Sequence, residues 1–61
     1  MQHAVRIDHP NGRVQIQPAT DRWAAENAAY HHGNGAAAVR RRNDTDPWID
    51  NRTANILAFG A

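Results

Sequence analysis

Apolar and polar residues alternate along the first part of the chain and then change period. Val5 and Ile7 alternate with Ala4, Arg6 and Asp8, and Val14 and Ile16 alternate with Arg13, Gln15 and Gln17. Period two is the signature of a half-buried strand. Between the two runs lies His9-Pro10-Asn11-Gly12. Asn-Gly favours a two-residue type I′ loop, so the pattern predicts a β-hairpin. That loop places Ile7 opposite Ile16 and His9 opposite Val14, with Val5, Ile7, Val14 and Ile16 on one face.

The period then lengthens. Pro18 ends the second strand, and Thr20 to Gly33, TDRWAAENAAYHHG, reads as a helix. Thr20 is the expected N-cap, with Asp21 in the first turn. His31 and His32 fall in the last turn, and Gly33 is the expected C-terminal stop. At about 100° per residue the helix has two apolar arcs. Ala24, Ala25, Ala28 and Ala29 form one; Trp23 and Tyr30 form the other. The alanine arc suits close approach to the hairpin, which leaves the aromatics in need of another cover. The reverse assignment, aromatics on the sheet, fits the pattern as well.

Gly33-Asn34-Gly35 is a turn. Ala36 to Arg42 reads as a third strand with Ala37 and Val39 inward. Asn43 to Pro47 reads as a loop in which Asp46 and Pro47 resemble an N-cap followed by proline. In the tail, Ile49, Thr53, Ile56 and Leu57 fall roughly on one side of a short helix, and residues 55–59 fit a strand equally. The expected fold class is therefore α+β. It is a single small domain over residues 1–61, built as a β-β-α-β unit over 3–42 and a loop and C-terminal packing segment over 43–61.

Length sharpens this picture. A chain of 61 residues buries only about 60% of its unfolded surface and sits near the lower limit for folding alone. There is no cysteine, so no disulfide can staple it. Two arcs on one helix and a tail carrying Trp48, Ile56, Leu57 and Phe59 amount to more apolar surface than a chain this small easily hides. Contiguous exposed apolar surface marks an interface, and Trp, Tyr and Arg anchor such contacts. The expected anchors are Trp23, Tyr30, Trp48 and Phe59, with Arg40, Arg41 and Arg42 as a polar rim. The partners expected are a second copy of the chain and a host protein.

Charge supports a competing expectation. All seven basic residues are arginine, and the net charge is +1, too near neutral to indicate nucleic acid by bulk charge. Position matters more. The hairpin register above puts Arg6, Arg13, Gln15 and Gln17 on the outer sheet face, and an inward Val39 adds Arg40 and Arg42. Arg and Gln read guanine and adenine edges, and a small sheet fits the major groove. The layout from Ala4 to Arg42 resembles the three-stranded DNA-reading sheets of phage integrase arm-binding domains. A solvated sheet face that blocks edge aggregation accounts for the same residues.

Catalytic chemistry finds no support. Serine, cysteine and lysine are absent, and Gly33-Asn34-Gly35 is too short to cradle a phosphate. Asp8, Asp21, Glu26, Asp44, Asp46 and Asp50 have no recognisable acid–base spacing. His3, His9, His31 and His32 lack the paired spacing of a zinc site, and Asp44, Asp46 and Asp50 lack the glycine and glutamate of a calcium loop. Hence no enzyme, metal or cofactor is expected. No apolar run approaches the roughly 20 residues that span a membrane. The opening MQHAVRIDHP has no signal-peptide core, so the two Asn-X-Thr triplets at Asn43 and Asn51 are chance matches and the expected location is the cytoplasm of a bacterial host.

HAVRIDHPNGRVQIQ, the alanine-rich helix and AAAVRRR together resemble small accessory proteins of actinobacteriophages (mycobacteriophage-like). Their HxVxxxxPxG-type hairpin is followed by a helix and a strand ending in arginine. Twelve alanines and arginine in place of lysine agree with a high-GC source. The resemblance covers about two thirds of the chain and implies a phage gene product acting on a host protein. A small virion component is the remaining expectation. It carries over no site residue, and the part with Trp48 and Phe59 lies outside it.

Overall fold

A computed structural model describes residues 1–57 of the chain. Its elements run β1 (Gln2–Asp8), β2 (Val14–Ala19), α1 (Arg22–His32), β3 (Ala36–Arg41), β4 (Ile49–Asp50) and α2 (Asn51–Ile56). The strands form one antiparallel sheet in the order β2-β1-β3-β4. The expected β-β-α-β unit is present in an α+β domain. The tail adds a short edge strand at Ile49–Asp50, where a helix was expected, and a second helix over Asn51–Ile56; residues 55 and 56 are helical, not the start of a strand over 55–59, and residues 58 and 59 lie outside the described residues.

The hairpin is one residue longer in its loop than Asn-Gly alone predicts. His9 N–H donates to Arg13 C=O at 2.8 Å, and Gly12 N–H donates to His9 C=O at 3.0 Å. Pro10, Asn11 and Gly12 therefore form a three-residue loop, a β-turn followed by a positive-φ residue, Gly12 at 86°. Proline favours position i+1 of such a turn and glycine position i+3, which Pro10 and Gly12 occupy here. The Asn11 side chain also accepts from Arg13 N–H at 3.0 Å. The extra residue shifts the register by one, pairing Ile7 with Gln15 and Arg6 with Ile16. Val14 and Ile16 thus lie on the face opposite Val5 and Ile7, contrary to the expected sharing of one face.

The helix begins one residue later than expected. Asp21, not Thr20, is the N-cap, and its carboxylate accepts from Ala24 N–H at 2.8 Å. Gly33 closes the helix, donating its N–H to Ala29 C=O. Alanines face the sheet: Ala25 is fully buried against Val5 and Ile7, with Ala19, Ala29, Ala36 and Ala38 packed around them. The reverse assignment, aromatics on the sheet, is thereby excluded.

The phase of β3 is opposite to expectation. Ala36 and Ala38 share the helix face with Val5 and Ile7, while Val39 pairs with Ala4 on the other face. Gly35 sets this phase. Its φ is +85°, a Cβ there would meet Asp8 O at 3.0 Å, and its carbonyl accepts from Asp8 N–H at 2.7 Å. Alanine at three successive positions offers no contrast to oppose that register.

Asp46 and Pro47 do not open a helix. Asn43 Oδ1 accepts from Thr45 N–H, Thr45 Oγ1 and Asp46 N–H, closing a side-chain turn. Ile49 and Asp50 then pair with Arg40 and Val39 of β3. Helix α2 starts after Asp50 and buries Asn51 and Ala54, so Ile56 and Leu57 point to solvent instead of forming the expected packed side.

Candidate functional site

The expected interface residues fall into two environments. Trp23 and Tyr30 sit seven apart on α1, two near-full turns, at almost the same angle. They lie opposite the buried Ala25 and are 76% and 82% exposed. The Tyr30 ring meets His31 edge-on, with centroids 5.6 Å apart. Arg22 and Glu26 flank the stripe with an ion pair at 3.5 Å. Small alanines beneath and large aromatics above are what make this helix two-sided.

Trp48 differs. It is half-buried, and the Arg41 guanidinium carbon lies 4.2 Å from its ring centroid, a cation–π contact. Arg41 also donates to Gln2 Oε1 at 2.7 Å and lies 3.7 Å from the Asp44 carboxylate. Trp48 and Arg41 therefore seal one end of the sheet. Phe59 lies outside the described residues. Arg40 is 1% exposed, so it is no rim residue. It donates to the Asn51 carbonyl at 3.0 Å and to the Asn55 side chain, tying β3 to α2. Arg42 follows the strand end and is exposed.

The residues proposed to read DNA do not share a surface. Arg6 alone of the six lies within a strand on the face away from α1, where it pairs with Asp50 at 3.0 Å and Asp8 at 3.7 Å. Gln15 and Gln17 turn to the α1 side through the shifted register, and Gln15 Oε1 lies 3.0 Å from His9 Nε2. Arg13 closes the hairpin loop, and Arg40 is buried.

Sequence reasoning missed one polar cluster. His3 pairs across the strands with Arg40. Burial first, then the Arg40 charge, lowers the His3 pKa from its usual 6.5. Asn51 nearby is 4% exposed, and its side-chain amide has no hydrogen-bond partner. Alternating polarity marks His3 and Arg40 only as strand residues; nothing in the sequence marks them as neighbours.

The surface of the described residues carries shallow concavities. One of about 440 Å³ lies at the hairpin around His9, Arg13 and Gln15; one of about 340 Å³ lies by His3, Pro18, Arg41 and Trp48. Neither is lined by a carboxylate, so neither presents an acid–base pair. No three His, Asp or Glu side chains among the described residues converge as metal ligands. No helix among them is long and apolar enough to cross a membrane.

The class of protein defined by these features is a small α+β domain with an aromatic stripe on its principal helix. Comparison with protein-family models, curated proteins and solved structures gave no match.

Proposed function

We propose that the chain is a non-enzymatic interaction protein, of phage type and directed at a host protein, that acts by protein–protein contact through the exposed face of α1. The observation that carries this reading is the exposure of Trp23 and Tyr30 together on one line of the helix. Aromatic side chains bury about 150–250 Å² each, so the pair offers roughly 300 Å². At about 25 cal/mol per Å², burying it yields roughly 7 kcal/mol before the cost of association. That supplies the anchors of an interface, while a stable one buries about 800 Å² per partner. Residues beside the stripe, Asn27 and the Arg22–Glu26 pair, complete the contact. Anchors spaced i and i+7 suit an apolar groove on the partner.

The test is affinity capture from a bacterial host lysate with the wild type and a Trp23→Ala/Tyr30→Ala double variant, followed by titration of the captured protein. The double variant retains its circular dichroism, since both rings lie outside the core, and binds at least about 30-fold more weakly. Equal binding by wild type and variant overturns the reading.

A further inference from the structure

The sheet has an outer edge at β2, on a part of the surface separate from the exposed face of α1. Strand β2 is an outer strand, paired on one side with β1. The β1–β2 register fixes which of its backbone groups face outward. His9 and Arg13 form a hydrogen-bonded pair at the loop. Bonded and non-bonded pairs alternate in an antiparallel ladder. Hence Ile7–Gln15, Val5–Gln17 and His3–Ala19 are bonded, while Asp8–Val14, Arg6–Ile16 and Ala4–Pro18 turn their polar groups away from one another. Two observations agree with this parity. Asp8 N–H goes to Gly35 on the β3 side at 2.7 Å. Pro18, which has no N–H, falls at a position where β1 needs none.

The outward residues of β2 are therefore Val14, Ile16 and Pro18. All three are apolar, and all three lie on the face away from α1. Val14 is 61% exposed. An edge with free N–H and C=O groups is a template for another strand.

We infer that this edge pairs with a second copy of the chain, antiparallel, about a two-fold axis through Ile16. Ile16 then exchanges two N–H···O bonds with Ile16 of the second copy. Each Val14 N–H donates to the Pro18 carbonyl of the other copy. Both outward donors of each strand, the Val14 and Ile16 N–H groups, are satisfied; Pro18 has no N–H to return to the Val14 carbonyl, so each outer pair keeps one bond of two and the ladder holds four bonds. Side chains match as the backbone does. Val14 meets Pro18, Ile16 meets Ile16, Gln15 meets Gln17, and Arg13 falls opposite Ala19, so no like charges face each other. This self-complementarity selects a second copy as the occupant, as an isologous two-fold contact requires. The two sheets join into one of eight strands, with both α1 helices on the same side and their aromatic stripes still exposed. Five residues per strand bury less than a stable interface needs, so the pairing is weak and depends on concentration.

The test uses the full chain. Amide hydrogen exchange is measured at low and at high micromolar concentration, with light scattering in parallel. Val14 and Ile16 amides are expected to exchange quickly when dilute and at least about 5-fold more slowly when concentrated, while Gln15 and Gln17 stay protected throughout. Ile16→Pro removes the central outward donor but no bond to β1, so it is expected to remain folded and monomeric. Val14 and Ile16 exchange that is independent of concentration overturns the inference, as does a dimer that survives Ile16→Pro. Trp23→Ala/Tyr30→Ala is expected to leave self-association unchanged. Loss of the dimer in that variant would place the contact on α1 and refute edge pairing, whereas loss of host-protein capture alone concerns only the function proposed above.

Discussion

The two faces of the sheet are closed by opposite means. On the α1 side, Val5 and Ile7 are covered by alanines that let the helix approach closely. On the other side, Ala4 and Val39 pair directly and are both fully buried, with Arg6 and Arg41 at neighbouring positions of that face. Arg6 is held by Asp8 and Asp50, and Arg41 by Gln2 and Trp48. Arginine stems cover apolar surface while their heads stay hydrated or paired. The neighbours Arg40 and Arg41 show the contrast most sharply: one is buried beside α2, the other is stacked on a ring. A run of arginines that looks like a nucleic-acid patch thus serves, at two of its three positions, to hold the sheet together.

Breaking the buried member has the largest expected effect. Arg40→Ala leaves the Asn51 carbonyl and the Asn55 amide oxygen without their donor. Charged hydrogen bonds contribute about 1.5–3 kcal/mol each and orphaned buried groups add to the loss, so the expected destabilisation is about 3 kcal/mol. A domain of this size has roughly 3–9 kcal/mol in total. Circular dichroism should show a partly unfolded population at 25 °C. Next comes the α1 side. Ala25→Leu forces a large side chain between helix and strand, with an expected cost of about 2 kcal/mol. With a urea m-value near 1 kcal/mol per M, the unfolding midpoint falls by about 2 M. If Ala25→Leu were neutral, the close approach of α1 would not be what closes that face.

The other face should yield less. Trp48→Ala removes the ring under Arg41, and a cation–π contact of this kind contributes about 1 kcal/mol. Thermal melting should drop by about 4–8 °C. Trp48→Phe keeps a ring and should recover most of the loss, because the contact needs a π face more than an indole.

Much of the α1 side was legible from period alone. Alternation located β1 and β2, and the helical wheel narrowed the buried side of α1 to one of two arcs without choosing between them. The register was not legible, because Asn11-Gly12 fits two loops and Pro10 decides between them only once it occupies the turn. Thr20 and Asp21 are both good caps, so the helix start was ambiguous by one. The phase of β3 was hidden by its run of alanines. The other face was harder still. Arg41 and Trp48 flank the loop after β3 and are brought together by the β3–β4 pairing, which the sequence does not announce, and arginine carries no mark of burial. Of the candidate site, the shared line of Trp23 and Tyr30 on α1 was legible from their spacing, while the burial of Arg40 and the stacking of Trp48 on Arg41 were not, because residue type alone does not reveal what lies across the sheet.

The smallest expected effect belongs to His3, which sits on the α1 side across from Arg40. Burial, and secondarily the Arg40 charge, lowers its pKa from the usual 6.5. The neutral ring is thus favoured in the folded state. Below pH 6.5 the unfolded chain takes up a proton that the folded chain resists, and stability rises with pH wherever the unfolded state binds more protons. The contribution is fully present above pH 6.5 and declines as the pH falls through the lower folded value. NMR titration of the His3 ring should give a midpoint below 6.5, and urea midpoints should fall modestly between pH 7 and pH 5. His3→Gln should flatten part of that slope while leaving stability at pH 7.5 nearly unchanged. An unaltered slope in His3→Gln would mean that the Arg40 charge is neutralised before it reaches the ring, and that the polar end of this face is better screened than its burial implies.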